Sequence, residues 1–479
     1  MNLSEYLLKH QYSDRIAVKY KEQAITYRHL NQKCYALSEI LTQETSELIG
    51  LFIPNSINYV IGYYGILYAG KIIVSFNTQL TENEVLDIMT ESQTQAIVTL
   101  SEYREKFQNL EKQMHIIYID ELPLEISTMP SEIVLENQGD GNQGAIIFPT
   151  SGTTGDSKLV MHSHNHLAES IVAFREYIPM TEEDISLIIV PLCAAFINVQ
   201  QLLFNICIGL TSIMYDGKIR INKFFNIVDT EKVTSCAMVP SLLKSIATSY
   251  DPMRHQIASL ECVLIGGEKI DEETFNLIKE KIQPTKMLQL YGMSEAAAIC
   301  HKKYDDWDHK GESVGKAFKN VQIKIVDDQG KSLPNNVPGE IIIKSPYIML
   351  GYYGREGALS EDGWFRTGDI GEMDEEGYVW IKGRKKNVII SGGRNIFPEE
   401  VEFIIQKHEM ISEIKVYAEV SKSVGEIVVA EVVIAPGKVF DLQVLLDYCK
   451  GVLASYKTPK KFYCVDSIEK TASNKIKRR

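Results

Sequence analysis

The sequence predicts an α/β protein: a large N-terminal domain of parallel sheets flanked by helices, and a small α+β C-terminal domain. Three observations lead there. At 479 residues the chain is longer than one hydrophobic core usually organises. Helix-like and strand-like patterns alternate through its first hundred residues, and such alternation implies a largely parallel sheet covered by helices. Past residue 380 the texture changes. A short basic run, Lys382-Gly383-Arg384-Lys385-Lys386, reads as a linker into a last stretch of roughly 95 residues, near the lower end of common domain sizes. The expected division is 1–383 and 384–479.

The elements follow from local pattern. Leu30, Cys34, Leu37 and Leu41 share one helical face, and Glu47 to Ile53 reads as a short buried strand. Asn55 is placed to cap a helix that Gly70 ends, with Lys71 to Phe76 the next strand. Thr81-Glu82-Asn83-Glu84 has the form of a capping box, and Ala96 to Leu100 is again strand-like. A polar Gly/Asn-rich stretch from Glu132 to Gln143 precedes the strand Ala145 to Phe148. Beyond the basic run, Ile427 to Ala435 has a strand pattern and Leu442 to Ala454 a helical one.

Composition narrows the function. Hydrophobic residues make up 45% and charged residues 24%, the balance of a soluble globular protein. A formal net charge of −13 argues against a nucleic-acid partner. The eight cysteines are scattered without a C-x-x-C pair, which suits reduced thiols in the cytoplasm and offers no zinc or disulfide framework. The start lacks the basic-then-apolar form of a secretory signal. Val60 to Phe76, the most apolar window, is broken by Gly62, Gly65, Gly70 and Lys71, so no transmembrane segment is expected.

The sharpest local signal is Pro149-Thr150-Ser151-Gly152-Thr153-Thr154-Gly155-Asp156-Ser157-Lys158, directly after a strand. Two glycines allow close backbone approach, hydroxyls donate, and a lysine closes the loop, which can wrap phosphate oxygens. A flexible surface loop has the same composition. The order Gly152-x-x-Gly155-x-x-Lys158 is not that of a Walker A loop. His162, His164 and His166 alternate just after it, as they would along one strand face, yet no carboxylate or cysteine is near in sequence to complete a metal set.

Further motifs follow in order: Gly266-Gly267-Glu268, Tyr291-Gly292-Met293-Ser294-Glu295, Gly363-Trp364-Phe365-Arg366-Thr367-Gly368-Asp369, Gly383-Arg384, the run Ser391 to Glu402 containing Gly392 and Gly393, and Lys475. With the loop, this series resembles the adenylate-forming superfamily, in its branch of acyl-CoA synthetases and AMP-dependent ligases, from about Thr26 to Arg479. The resemblance implies ATP-dependent activation of a small-molecule carboxylic acid to an acyl-adenylate, then transfer to coenzyme A, with Mg²⁺ assisting. Both reactants are anions, so such a site must supply cations and hold the groups in line.

The resemblance also assigns roles. Lys475, Glu295 and Lys158 are the implied catalytic residues, with Glu295 and Thr154 toward Mg²⁺, a hard cation that takes oxygen ligands. Thr150, Ser151, Gly152, Thr153, Thr154 and Gly155 would surround phosphates. Tyr291 and the Gly266-Gly267-Glu268 segment would form the two sides of the adenine slot, Gly292 and Ser294 would also contact the cofactor, and Glu295 comes just after a strand and a Tyr-Gly turn. Asp369, in a Gly-flanked turn, would accept the ribose hydroxyls, and Arg384 would contact the nucleotide. Gly392 and Gly393 would flank the arm of coenzyme A. Lys386 would be the hinge on which the small domain pivots between the two half-reactions.

Departures refine the expectation. Ser157-Lys158-Leu159 stands where the family usually has Pro-Lys-Gly, Asn474 where a glycine commonly precedes the lysine, and Glu469 where a proline is usual. In Pro191-Leu192-Cys193-Ala194-Ala195-Phe196 there is neither the aromatic or histidine gate of many acyl-CoA synthetases nor the aspartate that amino-acid-activating domains use for the ammonium. Small residues there suggest an open acyl pocket. A separate carrier protein is the alternative acceptor. With four residues after Lys475 no fused carrier domain is expected, which favours coenzyme A. A non-catalytic nucleotide-binding relative is the rival from another class, disfavoured because Lys158, Glu295, Asp369, Arg384 and Lys475 are all retained.

Overall fold

The computed structural model describes residues 2–125, 141–150, 158–268, 270–391, 394–421, 425–470 and 476–477. The chain forms two compact units, the first made of Met1–Thr150, Ser157–Gln322 and Lys344–Gly363, the second including Ile323–Ile343 and Trp364–Arg479.

In the first unit, continuous apolar runs become strands buried on both faces. Leu48–Phe52, Ile72–Ser75 and Ala96–Thr99 have every residue buried, as strands covered by helices on both sides must be. They lie in a seven-stranded sheet among the described residues, in which His115–Tyr118, Ala96–Thr99, Leu48–Phe52, Ile72–Ser75 and Gly144–Thr150 run parallel. Lys158–Ser163 and Gly351–Tyr352 add antiparallel at its edge. A second sheet in the same unit has six parallel strands, ordered Lys286–Met293, Cys262–Ile265, Ser235–Met238, Ile185–Ile188, Thr211–Met214 and Ile16–Tyr20. Antiparallel strands flank it, Ala297–Lys303 at one end and Gln23–Thr26 at the other. The sheets are thus parallel at the centre and mixed at the margins.

Helix starts follow capping chemistry, with one correction. Thr81 and Glu84 form the expected capping box, each side chain bonded to the other's backbone N–H. The helix Ile57–Tyr68 is capped by Ser56, which accepts from the Tyr59 N–H, and not by Asn55. Asn55 is drawn away by tertiary partners. Its amide donates to the Val190 and Tyr215 carbonyls, and its oxygen accepts from the Leu192 N–H at 2.8 Å.

The second unit reaches back before residue 384. Gly339–Lys344 pairs antiparallel with Phe365–Met373, and that strand with Tyr378–Arg384, so hydrogen bonding carries the unit through segments expected in the large domain. The basic run is correspondingly no loose linker. Its first three residues complete the strand Tyr378–Arg384, and Lys385–Asn387 forms one short helical turn. Carboxylates of this unit hold it: Lys382 pairs with Glu372 at 2.9 Å, and Lys385 with Asp328 at 2.9 Å and Glu340 at 3.0 Å. Those hydrogen bonds push the Lys385 ammonium above its ordinary pKa. Farther on, Ile389–Ser391, Arg394–Ile396, Ile411–Ser421, Gly425–Ile434 and Lys461–Cys464 make a separate sheet. The helices Pro398–Ile405 and Leu442–Val452 help to close its core, with Val401, Ile405, Val416, Val428, Leu445 and Cys449 buried together.

Candidate active site

In the first unit, the strands Gly144–Thr150 and Lys158–Ser163 pair so that Thr150 lies opposite Lys158. The Thr150 hydroxyl donates to the Lys158 carbonyl at 3.2 Å, closing the base of the Gly/Ser/Thr loop. Ser151, Gly152, Thr153, Thr154 and Gly155 lie outside the described residues, as do Gly392, Gly393 and Lys475.

Lys158 and Glu295 are brought to one side chain. The edge strand Gly351–Tyr352 sets Tyr352 opposite Val160. The Lys158 ammonium lies 4.8 Å from the centroid of the Tyr352 ring, within the range of a cation–π contact. The Tyr352 hydroxyl donates to Glu295 Oε1 at 2.9 Å. Backbone bonds fix the turn that carries Glu295, whose carbonyl accepts from the Met349 N–H at 2.8 Å. A carboxylate has about four lone-pair sites, so the bond from Tyr352 leaves capacity for a cation. Mg²⁺ is commonly held by one or two carboxylates together with substrate phosphates. Glu295 fits that use.

His162 supports the same turn. Its Nε2 is 2.6 Å from the Ser294 carbonyl, which can only accept, so Nε2 carries the proton. Burial pushes the imidazole down to about 4, leaving it neutral near pH 7. The three histidines do not share a strand face. His162 lies within the strand Lys158–Ser163, while His164 starts the helix His164–Arg175, capped by Ser163 through the His166 N–H. Among the described residues no group of three or more His, Cys, Asp or Glu is placed to hold a metal ion.

The Tyr291-Gly292 pair lies within the strand Lys286–Met293 and not in a turn; the turn is at 294–296. Tyr291 is half-buried and faces Cys300 across a bulge. Only glycine fits at 292, where a Cβ would stand 1.9 Å from the Ala297 carbonyl oxygen. Gly266, Gly267 and Glu268 leave the end of the neighbouring strand Cys262–Ile265, with Glu268 exposed. These segments therefore sit at the carboxyl ends of adjacent parallel strands, where open α/β sheets bind ligands. A Cβ on Gly266 would meet the Phe196 ring at 2.7 Å, so the small-residue segment abuts this edge. That segment is held at Leu192, whose carbonyl accepts from the Tyr59 hydroxyl at 3.1 Å and the Asn198 amide at 3.0 Å.

In the second unit, Asp369 is buried within the strand Phe365–Met373, not in a turn, and pairs in register with Arg384. Arg384 Nε is 2.8 Å from Asp369 Oδ1, and its Nη1 donates to the Thr367 carbonyl at 3.1 Å. The Thr367 hydroxyl donates to the Ile341 carbonyl and accepts from the Asp369 N–H. Carboxylate and guanidinium are thus held on a rigid hairpin. Two residues escaped the sequence reading: Tyr352, whose Gly351-Tyr352-Tyr353-Gly354 setting was the available signal, and His162 in its supporting role.

The AMP-binding enzyme family matches residues 8–353, and the AMP-binding enzyme C-terminal domain matches residues 400–475. The 2-succinylbenzoate–CoA ligase of Bacillus cytotoxicus is 29% identical over 477 residues, covering 97% of this chain and 95% of that protein. That of Bacillus subtilis is 29% identical over 472 residues, covering 97% and 94%. The o-succinylbenzoate CoA synthetase (MenE) of Bacillus subtilis, solved with the acyl-adenylate intermediate OSB-AMP, has a TM-score of 0.90 at 28% identity, covering 99% of this chain and 96% of that one. The same enzyme solved with ATP and a magnesium ion has a TM-score of 0.89.

Proposed function

We propose that this chain, which belongs to the AMP-binding enzyme family, takes an aryl acid of the 2-succinylbenzoate type as its substrate. It is an AMP-forming acid–CoA ligase that uses ATP, Mg²⁺ and coenzyme A and passes through an acyl-adenylate. The site reading rests on one observation: Tyr352 joins an ammonium and a carboxylate, Lys158 and Glu295, beside the base of the Gly/Ser/Thr loop. On this reading the loop from Thr150 to Gly155 surrounds the phosphates while Lys158 offsets their charge. Glu295 and Thr154 hold the metal ion, which when bound neutralises phosphate charge. Tyr291, Gly292, Ser294 and the Gly267-Glu268 edge receive the adenine. Asp369 and Arg384 take the ribose and nucleotide, and Lys475 meets the α-phosphate during adenylation. Lys386 is the pivot at a 383/384 boundary, and Gly392 and Gly393 flank coenzyme A in the second step.

No acidic residue lies between Ile188 and Gln200, so an α-ammonium would be buried there without a partner. A substrate with a second carboxylate, as 2-succinylbenzoate has, meets no repelling acid in that wall. The curated relatives are named as CoA ligases, which supports coenzyme A over a carrier protein. We also place the enzyme in the cytoplasm, where thiols stay reduced: all eight cysteines are free. Among the described residues no helix is long and apolar enough to cross a membrane.

ATP–pyrophosphate exchange across a panel of acids tests the assignment. 2-Succinylbenzoate is expected to support exchange well above simple aryl acids, with fatty acids weaker and α-amino acids inactive. Robust exchange with an amino acid, and none with aryl acids, contradicts it.

A further inference from the structure

We propose that Tyr352 is a positioning residue, its hydroxyl orienting the Glu295 carboxylate and its ring face seating the Lys158 ammonium. This rests on the reading of Glu295 as the metal's carboxylate and Lys158 as a phosphate cation, and adds what aims them.

Glu295 lies in a turn at 294–296, between two strands. Backbone bonds fix the turn's path but leave its side-chain rotamer to other contacts. The Tyr352 bond to Oε1, at 2.9 Å, holds one oxygen and leaves Oε2 for a cation. A hydrogen bond to a charged acceptor is among the stronger ones, so it restrains the carboxylate before any ligand arrives. The same ring lies under the Lys158 Nζ at 4.8 Å. Lys158 is otherwise an exposed residue on a flexible stem, and the ring limits where its charge sits. Tyr352 is itself located by strand pairing, with the Leu350 N–H bonded to the Met161 carbonyl and the Tyr353 N–H to the Leu159 carbonyl. A rigid element therefore sets both groups, although Tyr352 and Glu295 are 57 positions apart in the chain. The buried His162 also braces the turn, through the Ser294 carbonyl.

Two substitutions separate the two contacts. Tyr352→Phe deletes the hydroxyl and keeps the ring, whereas Tyr352→Leu deletes both. Calorimetry of ATP binding without acid, in excess Mg²⁺ and again in EDTA, reads the metal's contribution as a ratio of affinities independent of turnover. Tyr352→Phe is expected to lose about tenfold of that ratio, the lower end of the scale of a charge-assisted hydrogen bond, while its affinity in EDTA stays within about twofold. Tyr352→Leu is expected to lose the same ratio and also about two- to fivefold of the affinity in EDTA, the scale of an exposed cation–π contact. A merely structural role lowers the melting temperature and leaves the ratio as in the wild type, and that result overturns the proposal. Glu295→Gln is the control. If it lowers the ratio while Tyr352→Phe does not, the metal reading stands and the positioning role is wrong. If Glu295→Gln leaves the ratio unchanged, the metal reading fails and the proposal falls with it. Should Tyr352→Phe not fold, the wild-type ratio retained in Tyr352→Leu overturns the proposal equally.

Discussion

Replacing Lys475 by alanine is expected to slow acyl-adenylate formation by roughly 10²–10³, the usual cost of losing one preorganised electrostatic contact to developing charge. As the carboxylate attacks the α-phosphorus, negative charge spreads over phosphate oxygens, and an ammonium aimed there stabilises the transition state more than bound ATP. The effect should therefore fall on the rate, with ATP affinity little changed. Thioester formation from a pre-made acyl-adenylate should be nearly normal, since on the proposed reading Lys475 acts in adenylation alone. Lys477→Ala is the control. Lys477 is already engaged, its Nζ 2.7 Å from Glu469, and hydrogen bonding to that carboxylate raises its pKa further. Pre-steady-state measurement of each half-reaction decides the matter. Equal behaviour of the two mutants, or equal loss of both half-reactions in Lys475→Ala, would mean that the tail's charge is merely solvated.

Asp369→Asn should weaken ATP binding by roughly ten- to a hundredfold, corresponding to about 1.5–3 kcal/mol for a hydrogen bond to a charged acceptor. The asparagine keeps the shape but gives up the charge and half the acceptor capacity, which on the proposed reading serves the ribose hydroxyls. The Asp369 side chain is 5% exposed and that of Arg384 42%, so loss of the carboxylate's charge also costs the hairpin some stability, and the melting temperature is read alongside binding. Discrimination against 2′-deoxy-ATP and 3′-deoxy-ATP separates a ribose contact from a structural one. The wild type should bind both deoxy nucleotides more weakly than ATP, and the variant should lose most of that preference. Unchanged discrimination would place Asp369 in the hairpin's structure alone.

How far each feature could be read from sequence depended on the range of the interaction behind it. The buried strands Leu48–Phe52 and Ala96–Thr99 and the capping box at Thr81 arise from neighbours in the chain, and all three were legible. Asn55 and Ser56 are both capping residues, and only the distant Val190, Leu192 and Tyr215 decide that Ser56 takes the role. Asp369 read as a turn residue beside Gly368 because its cross-strand partner, Arg384, is reached only when the hairpin forms. The run 382–386 read as a linker because Glu372, Asp328 and Glu340 meet it through the sheet. For the candidate site, motif order pointed to Lys158 and Glu295, but the tyrosine between them belongs to an edge strand far along the chain. One boundary could have been found earlier: Ser163 before His164 is a capping signal that separates strand from helix.

The acid is activated as its adenylate before coenzyme A is engaged. Rapid quenching of the enzyme with 2-succinylbenzoate and α-labelled ATP, in Mg²⁺ and without coenzyme A, tests it most directly. A burst of acyl-adenylate and pyrophosphate close to one equivalent per enzyme is expected, converted to acyl-CoA and free AMP when coenzyme A is added. Formation of ADP and phosphate, or no pyrophosphate until coenzyme A is present, would contradict it.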